Sequence, residues 1–222
     1  MSKNLFLVGL IAVLSVLNCI SVKADARWGA KLGLPLSSIK FTHADPDKKS
    51  EIGSKAGFQI GVFGELGFGG NLNFQPEFFF TQGGGVLSVN KQKDDGETYK
   101  KEETYDFGEL QIPLNIKYTY HLKKLSIFGL VGPYAGYTII AKRTENSPVN
   151  NSFENLLKKN NEEGERWLEN PLEIGVNIGV GVELKNDLFF EAGYKFGLTD
   201  IRTETELAAK KSAFSIGVGF YF

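Results

Sequence analysis

The stretch LEIGVNIGVGVEL, Leu172 to Leu184, decides the fold. Every second residue is a bulky hydrophobe: Leu172, Ile174, Val176, Ile178, Val180, Val182 and Leu184. Between them stand Glu173, Gly175, Asn177, Gly179, Gly181 and Glu183. A period of two is the mark of a β-strand, here with one oily face and one polar, glycine-rich face. In a soluble barrel the oily face would line the core. In a membrane barrel it would meet lipid.

The same alternation predicts seven further strands, at about 27–34, 55–68, 71–82, 105–120, 125–141, 188–199 and 211–222. In most of them one face collects residues such as Leu32, Phe58, Ile60, Phe78, Leu114, Ile116, Phe190 and Ile216. The facing of the strand at 125–141 stays open, because Phe128, Leu130 and Tyr134 oppose Ile127, Val131 and Tyr137. Links after the second, fourth and sixth strands are short: Gly69-Gly70, His121 to Lys124, and Lys185 to Asp187. The others, about 35–54, 83–104, 142–170 and 200–210, are long and polar. Short turns at one end and long loops at the other suit an eight-stranded, antiparallel, up-and-down transmembrane β-barrel. Strand lengths match a tilted crossing of the hydrocarbon layer.

That reading turns the oily set outward, with Trp28, Phe68, Phe80, Tyr118, Tyr120, Phe196, Phe220 and Phe222 as interfacial girdles. The polar set turns inward. Arg27, Lys31, Lys117 and Lys195 then face Glu65, Glu77, Glu109, Glu173, Glu183 and Glu191. An eight-stranded lumen is only wide enough for side chains to fill it. Isolated charges there would be costly, so the mixed signs predict a paired, plugged interior.

Composition and the amino terminus agree with an envelope protein. The 222 residues carry a formal net charge of −1, which offers no basic footprint for nucleic acid. Lys3, the apolar run Leu5–Leu17 and Val22-Lys23-Ala24 predict a signal peptide over 1–24, leaving residues 25–222 as one barrel domain. Cys19, the single cysteine, falls within that leader. Asn18 stands where a lipidated cysteine wants a small residue, so lipidation of Cys19 is the lesser reading.

GELQIPLNIKY (108–118), GLVGPYAGY (129–137), LEIGVNIGVGVEL (172–184) and LFFEAGYKFGLTDI (188–201) resemble the PorT-like outer-membrane β-barrel family. ARWGAKLGLPLSSI (26–39) is similar to that family's first strand. The resemblance spans about 26–222 and implies an integral outer-membrane barrel in a Gram-negative bacterium. The family's namesake takes part in protein secretion, so secretion-system components are expected partners alongside lipid and lipopolysaccharide. The last strand also resembles the signal read by the barrel-assembly machinery, through Phe214, Ile216, Val218, Phe220 and the terminal Phe222. The resemblance carries no catalytic residue.

Other motifs are weaker. Ser37, Ser38, His43, Asp45 and Asp47 share the first long link, which leaves a lipid-modifying enzyme as an alternative; triads, however, are recognised by spatial roles and not by such proximity. The glycines of GVNIGVGVEL sit inside a strand, where no nucleotide-binding turn forms. Asp94-Asp95-Gly96-Glu97 lacks the ligand spacing of a calcium loop. Neither a cofactor nor a metal is expected. In SFENLLKKN (152–160), Phe153, Leu156 and Leu157 share a helical face, which with Trp167 predicts a short amphipathic helix as an interaction loop. The expected function is therefore that of a plugged barrel acting through loops or turns in envelope structure, adhesion or secretion. The alternative outside the membrane is a lipocalin-like ligand binder.

Overall fold

The computed structural model describes residues 26–43, 51–92, 98–146, 151–157, 171–200 and 207–222. The predicted signal peptide and Trp167 lie outside them. Ten strands follow in order: β1 (Ala26–His43), β2 (Glu51–Ala56), β3 (Phe58–Gly69), β4 (Leu72–Gln92), β5 (Thr98–His121), β6 (Leu125–Asn146), β7 (Asn151–Asn155), β8 (Leu172–Leu184), β9 (Leu188–Gly197) and β10 (Leu207–Tyr221). Eight staves form the wall. β2 and β3 make one stave, interrupted at Gly57, and β7 is a short addition to β6. Every pairing is antiparallel between neighbours in the chain, and β10 closes the ring on β1 from Gly29 opposite Tyr221 to His43 opposite Leu207. Closure matters because lipid offers no partner for an unpaired backbone edge.

The alternation of β8 resolves as the membrane reading requires. Ile178 and Val180 are 48% and 62% exposed, while Glu173, Asn177 and Glu183 are buried. Outward hydrophobes continue around the wall through Leu32, Ile60, Phe78, Ile116, Val131, Phe190 and Ile216. A soluble barrel would bury this face.

β6 explains its own ambiguity. Phe128, Leu130 and Tyr134 point inward, and Ile127 and Val131 outward. The register then slips, because Glu109 pairs with Thr138 but Gly108 pairs with Ile140. The bulge leaves Ile139 and Ile140 both exposed and moves the inward face to Ala141. A strict period of two cannot be read across such a slip.

The turns at one end are short. Gly69 and Gly70 have φ of 104° and 66°, a region that side-chain-bearing residues avoid. Asp187 takes φ 64° in the turn between β8 and β9.

At the other end the described parts of the expected long loops are largely strand. β1 runs on to His43, which puts Ser37 and Ser38 in the wall and not in a loop. β4 and β5 extend to 21 and 24 residues, about twice the 9–11 needed to cross a bilayer. The predicted helix at 152–160 is also overturned over 152–157, and 158–160 lie outside the described residues. Asn151–Asn155 pairs with β6 as a strand, Phe153 lies exposed, and Leu156 turns into the core. Backbone pairing satisfies this segment, and its three hydrophobes part: Phe153 outward, Leu156 inward with the partly buried Leu157 packed beside it. Replacing Ile178 with Arg should destabilise the barrel by about 2–4 kcal/mol in urea refolding into bilayers, as expected for mid-membrane lipid contact; an unchanged midpoint would contradict that facing.

Candidate functional site: a sealed polar lumen

Inward residues on adjacent staves fill the lumen in layers. In the layer nearest the short turns, the Arg27 guanidinium donates to Glu65 at 2.7 Å and to Glu183 at 2.6 Å. The Lys117 ammonium donates to Glu65 at 2.6 Å and to the Tyr221 hydroxyl at 2.6 Å. Tyr221 in turn donates to Glu65 at 2.7 Å, and Arg27 lies 4.0 Å from the centre of its ring.

Next comes an apolar layer of Phe63, Phe128, Phe189 and Leu130, with Tyr221 at its edge. Phe63 meets Phe189 edge-on with ring centres 5.5 Å apart, a favoured aromatic geometry.

A second ionic layer lies above. Lys31 donates to Glu77 at 3.2 Å and to both Glu191 oxygens at 2.9 Å. Gln75 and Asn115 also donate to Glu77, at 2.6 and 3.1 Å, and Asn177 donates to Asn115 at 3.1 Å.

The third ionic layer is held by Lys211, which pairs with Glu109 and, at 2.6 Å, with Glu173. Tyr134 donates to Glu173 and Gln111 to Glu109. Lys195 donates to Gln111 at 2.5 Å. An apolar cap of Ile39, Tyr105, Phe107, Ala141 and Leu156 closes the top.

Glycine is what lets so narrow a tube hold aromatics. Phe63 lies opposite Gly29, Phe79 opposite Gly61, Phe128 opposite Gly181, Tyr134 opposite Gly175 and Phe189 opposite Gly219. A Cβ on any of these five glycines would fall within 2.2–2.5 Å of the facing ring. The rings therefore lie across bare backbone, and the wall cannot accept a side chain there.

Arg27, Lys31, Glu65, Glu77, Glu109, Lys117, Glu183, Glu191 and Lys195 thus all meet in this one interior. Glu173 does so too. Lys211, Tyr134 and Tyr221 escaped the sequence reading as network members. Lys211 stood at the first position of the expected strand 211–222 and shares the period of Ser215, Gly217, Gly219 and Tyr221, so its inward face was readable. The assembly residues Phe214, Ile216, Val218, Phe220 and Phe222 all face outward on the closing strand. Phe222 still donates its backbone N–H to Trp28 at 3.0 Å.

The candidate loop chemistry does not assemble among the described residues. Ser38 faces Ser212 at 3.2 Å. The backbone of His43 ends β1 opposite Leu207, while its side chain, Asp45, Asp47 and the acidic 94–97 segment lie outside the described set. His121, at the short-turn end, contacts Ser126 at 2.9 Å.

The profile of the outer membrane protein beta-barrel domain family matches residues 21–202. The chain belongs to that family. It is a transmembrane β-barrel of the Gram-negative outer membrane. No curated protein matches it. Among solved structures, it is similar to Ail of Yersinia pestis, in complex with the heparin analogue sucrose octasulfate. The two share 13% identity at a TM-score of 0.41, over 89% of this chain and 99% of that one. Neisserial surface protein A shows 13% identity and a TM-score of 0.41, over 89% and 99%. OprG of Pseudomonas aeruginosa shows 12% identity and 0.41, over 89% and 94%.

The ion pairs make the barrel vulnerable to removal of one partner. Lys31→Met leaves Glu77 and Glu191 without their shared cation, which should cost about 3–5 kcal/mol in refolding titrations. Adding Glu191→Gln to that variant should recover part of the loss. A Lys31→Met barrel as stable as the parent would show that the pairs do not support the fold.

Proposed function

We propose that this outer-membrane barrel is a sealed anchor whose work is done by the strands standing beyond the membrane, in adhesion or attachment at the cell surface. The observation that carries this reading is the pairing of a filled lumen with an overlong β4–β5 hairpin. Pairing along that hairpin continues from Leu72 opposite Tyr118 out to Gln92 opposite Thr98. β2 braces one flank of it and β6 the other, so the extension is a sheet and not a string. A stiff, polar sheet presents side chains to a partner at little ordering cost. The lysines of KQKDDGETYKKEE (91–103) suit contact with anionic lipopolysaccharide or an anionic surface partner.

On this reading the protein performs no chemistry of its own. Its biogenesis partner is the barrel-assembly machinery, which reads the outward residues of β10 and the terminal Phe222. The PorT-like character of the strand motifs supports a second role, assistance to protein secretion through the same outer sheet or the short periplasmic turns.

The test uses cells displaying the parent and a variant in which residues 87–102 are replaced by a two-residue glycine turn. The variant should keep the unboiled-gel mobility of a folded barrel while cell attachment to matrix-coated surfaces falls to background. Deleting Phe222 in the same cells should lower the outer-membrane level instead. Attachment unaffected by hairpin removal, or stepwise conductance of the parent protein in planar bilayers, would overturn the proposal.

A further inference from the structure

Between the third ionic layer and the apolar cap the lumen widens into a chamber of about 40 Å³. Room of that order holds a few non-hydrogen atoms, since one water needs roughly 10–15 Å³ by the same measure. Its exposed lining is mostly apolar, with hydroxyl and amide groups supplied by Ser37, Thr81, Gln59, Gln111, Ser212 and Ser215.

Two groups on this wall are under-used. Gln59 is 5% exposed, and its Oε1 has no hydrogen-bond partner among the described residues. Lys195 is 8% exposed, and the hydrogen bond described for its ammonium is the one to Gln111. It has no carboxylate within salt-bridge distance among the described residues, whereas Lys211 holds two. A buried acceptor lacking a donor and a buried ammonium with donors to spare are each costly. Relief of both requires an occupant that donates and accepts.

The charge balance sets the occupant's charge. Lys195 and Lys211 on this wall offset Glu109 and Glu173, so neither an anion nor a cation is favoured. A neutral hydroxyl both donates and accepts. Below the chamber, Phe79, the Lys31 cluster and the packed rings of Phe63, Phe128 and Phe189 bar onward passage. Above it, Ile39 and Phe107 form a roof on which Leu156 packs, held by its N–H to the Ala141 carbonyl at 3.0 Å. On the β1–β10 side, Ser37, Ser38, Ser212 and Ala213 are half-buried, so this is the least covered side of the chamber.

We propose that this blind chamber is a binding site for the terminal hydroxymethyl or glycol end of a sugar or polyol, with Gln59 accepting from it and Lys195 donating to it. The site stands on the barrel interior alone and is independent of the attachment role.

The test is saturation-transfer NMR on the folded protein in dodecylphosphocholine micelles, with ethylene glycol as the probe. Transfer to the glycol methylene protons is expected. Methyl β-D-glucopyranoside, which bears a hydroxymethyl arm, should compete; methyl β-D-xylopyranoside, which lacks it, should not. Competition by neither sugar, with transfer retained, identifies a free polyol as the ligand of the same site. Lys195→Met should weaken glycol binding about tenfold, the equivalent of one lost hydrogen bond. Ala213→Leu, which fills the least covered side of the chamber without touching an ion pair, should abolish transfer while keeping the folded gel mobility. Absence of transfer to the parent protein, or equal transfer to Ala213→Leu, would overturn the proposal, with internal water as the chamber's occupant.

Discussion

A β-sheet in hydrocarbon has no tolerance for an open edge, since each backbone amide facing lipid without a partner costs several kcal/mol. The long seam between β1 and β10 meets that demand, and the rest of the molecule depends on it. Once the ring is closed, alternate residues have only two places to go. The outward set must match acyl chains. The inward set must fill a tube with no room for bulk on every position. The seam is also where the chain's first and last strands meet, so the barrel is complete only when the last residues are in place.

Filling the tube is solved by dividing the work. Charges of both signs form compact clusters in which each carboxylate meets a cation, as with Glu65 between Arg27 and Lys117. Rings fill the space between the clusters, and each ring rests on a glycine of the neighbouring strand. Ion pairs inside a protein add little stability over a well-packed apolar core, but losing one partner is severe. Such clusters therefore serve to hold register: slipping a stave by one residue would throw every charge into lipid. The same filling denies solutes a path through the membrane, which agrees with the role proposed for the extended hairpins.

The membrane-embedded part was legible in the sequence because one physical rule, oily out and polar in, acts on every second residue. β8 matched the expected bounds, Leu172 to Leu184, since both of its faces are read by that rule. Lys31, Glu77 and Glu191 were identifiable as inward by period alone. Their mutual pairing was not, because cross-strand register is invisible in a single chain. The same gap hid the match of Phe189 with Gly219 and of Phe128 with Gly181. Above the membrane the rule lapses. β4 beyond Gln82 opens on Gly83-Gly84-Gly85 and β5 before Tyr105 is mostly charged and polar, so no oily alternation marks them and they passed for loop. At Leu156 a helical spacing of hydrophobes misled, because a short strand followed by a turn brings one leucine inward just as a helix would.

Cysteine scanning along Leu172–Leu184 tests the closed, inside-out barrel most directly, since the described strands contain no native cysteine. Folded protein in lipid vesicles would be treated with a membrane-soluble maleimide and, separately, with a charged, water-soluble thiol reagent. Even positions from Ile174 to Val182 should react with the lipid-borne reagent, and the inward positions Asn177 and Gly179 with neither. Odd positions open to the charged reagent would mean a water-filled pore, and reactivity without alternation would mean that this strand does not separate lipid from a sealed interior.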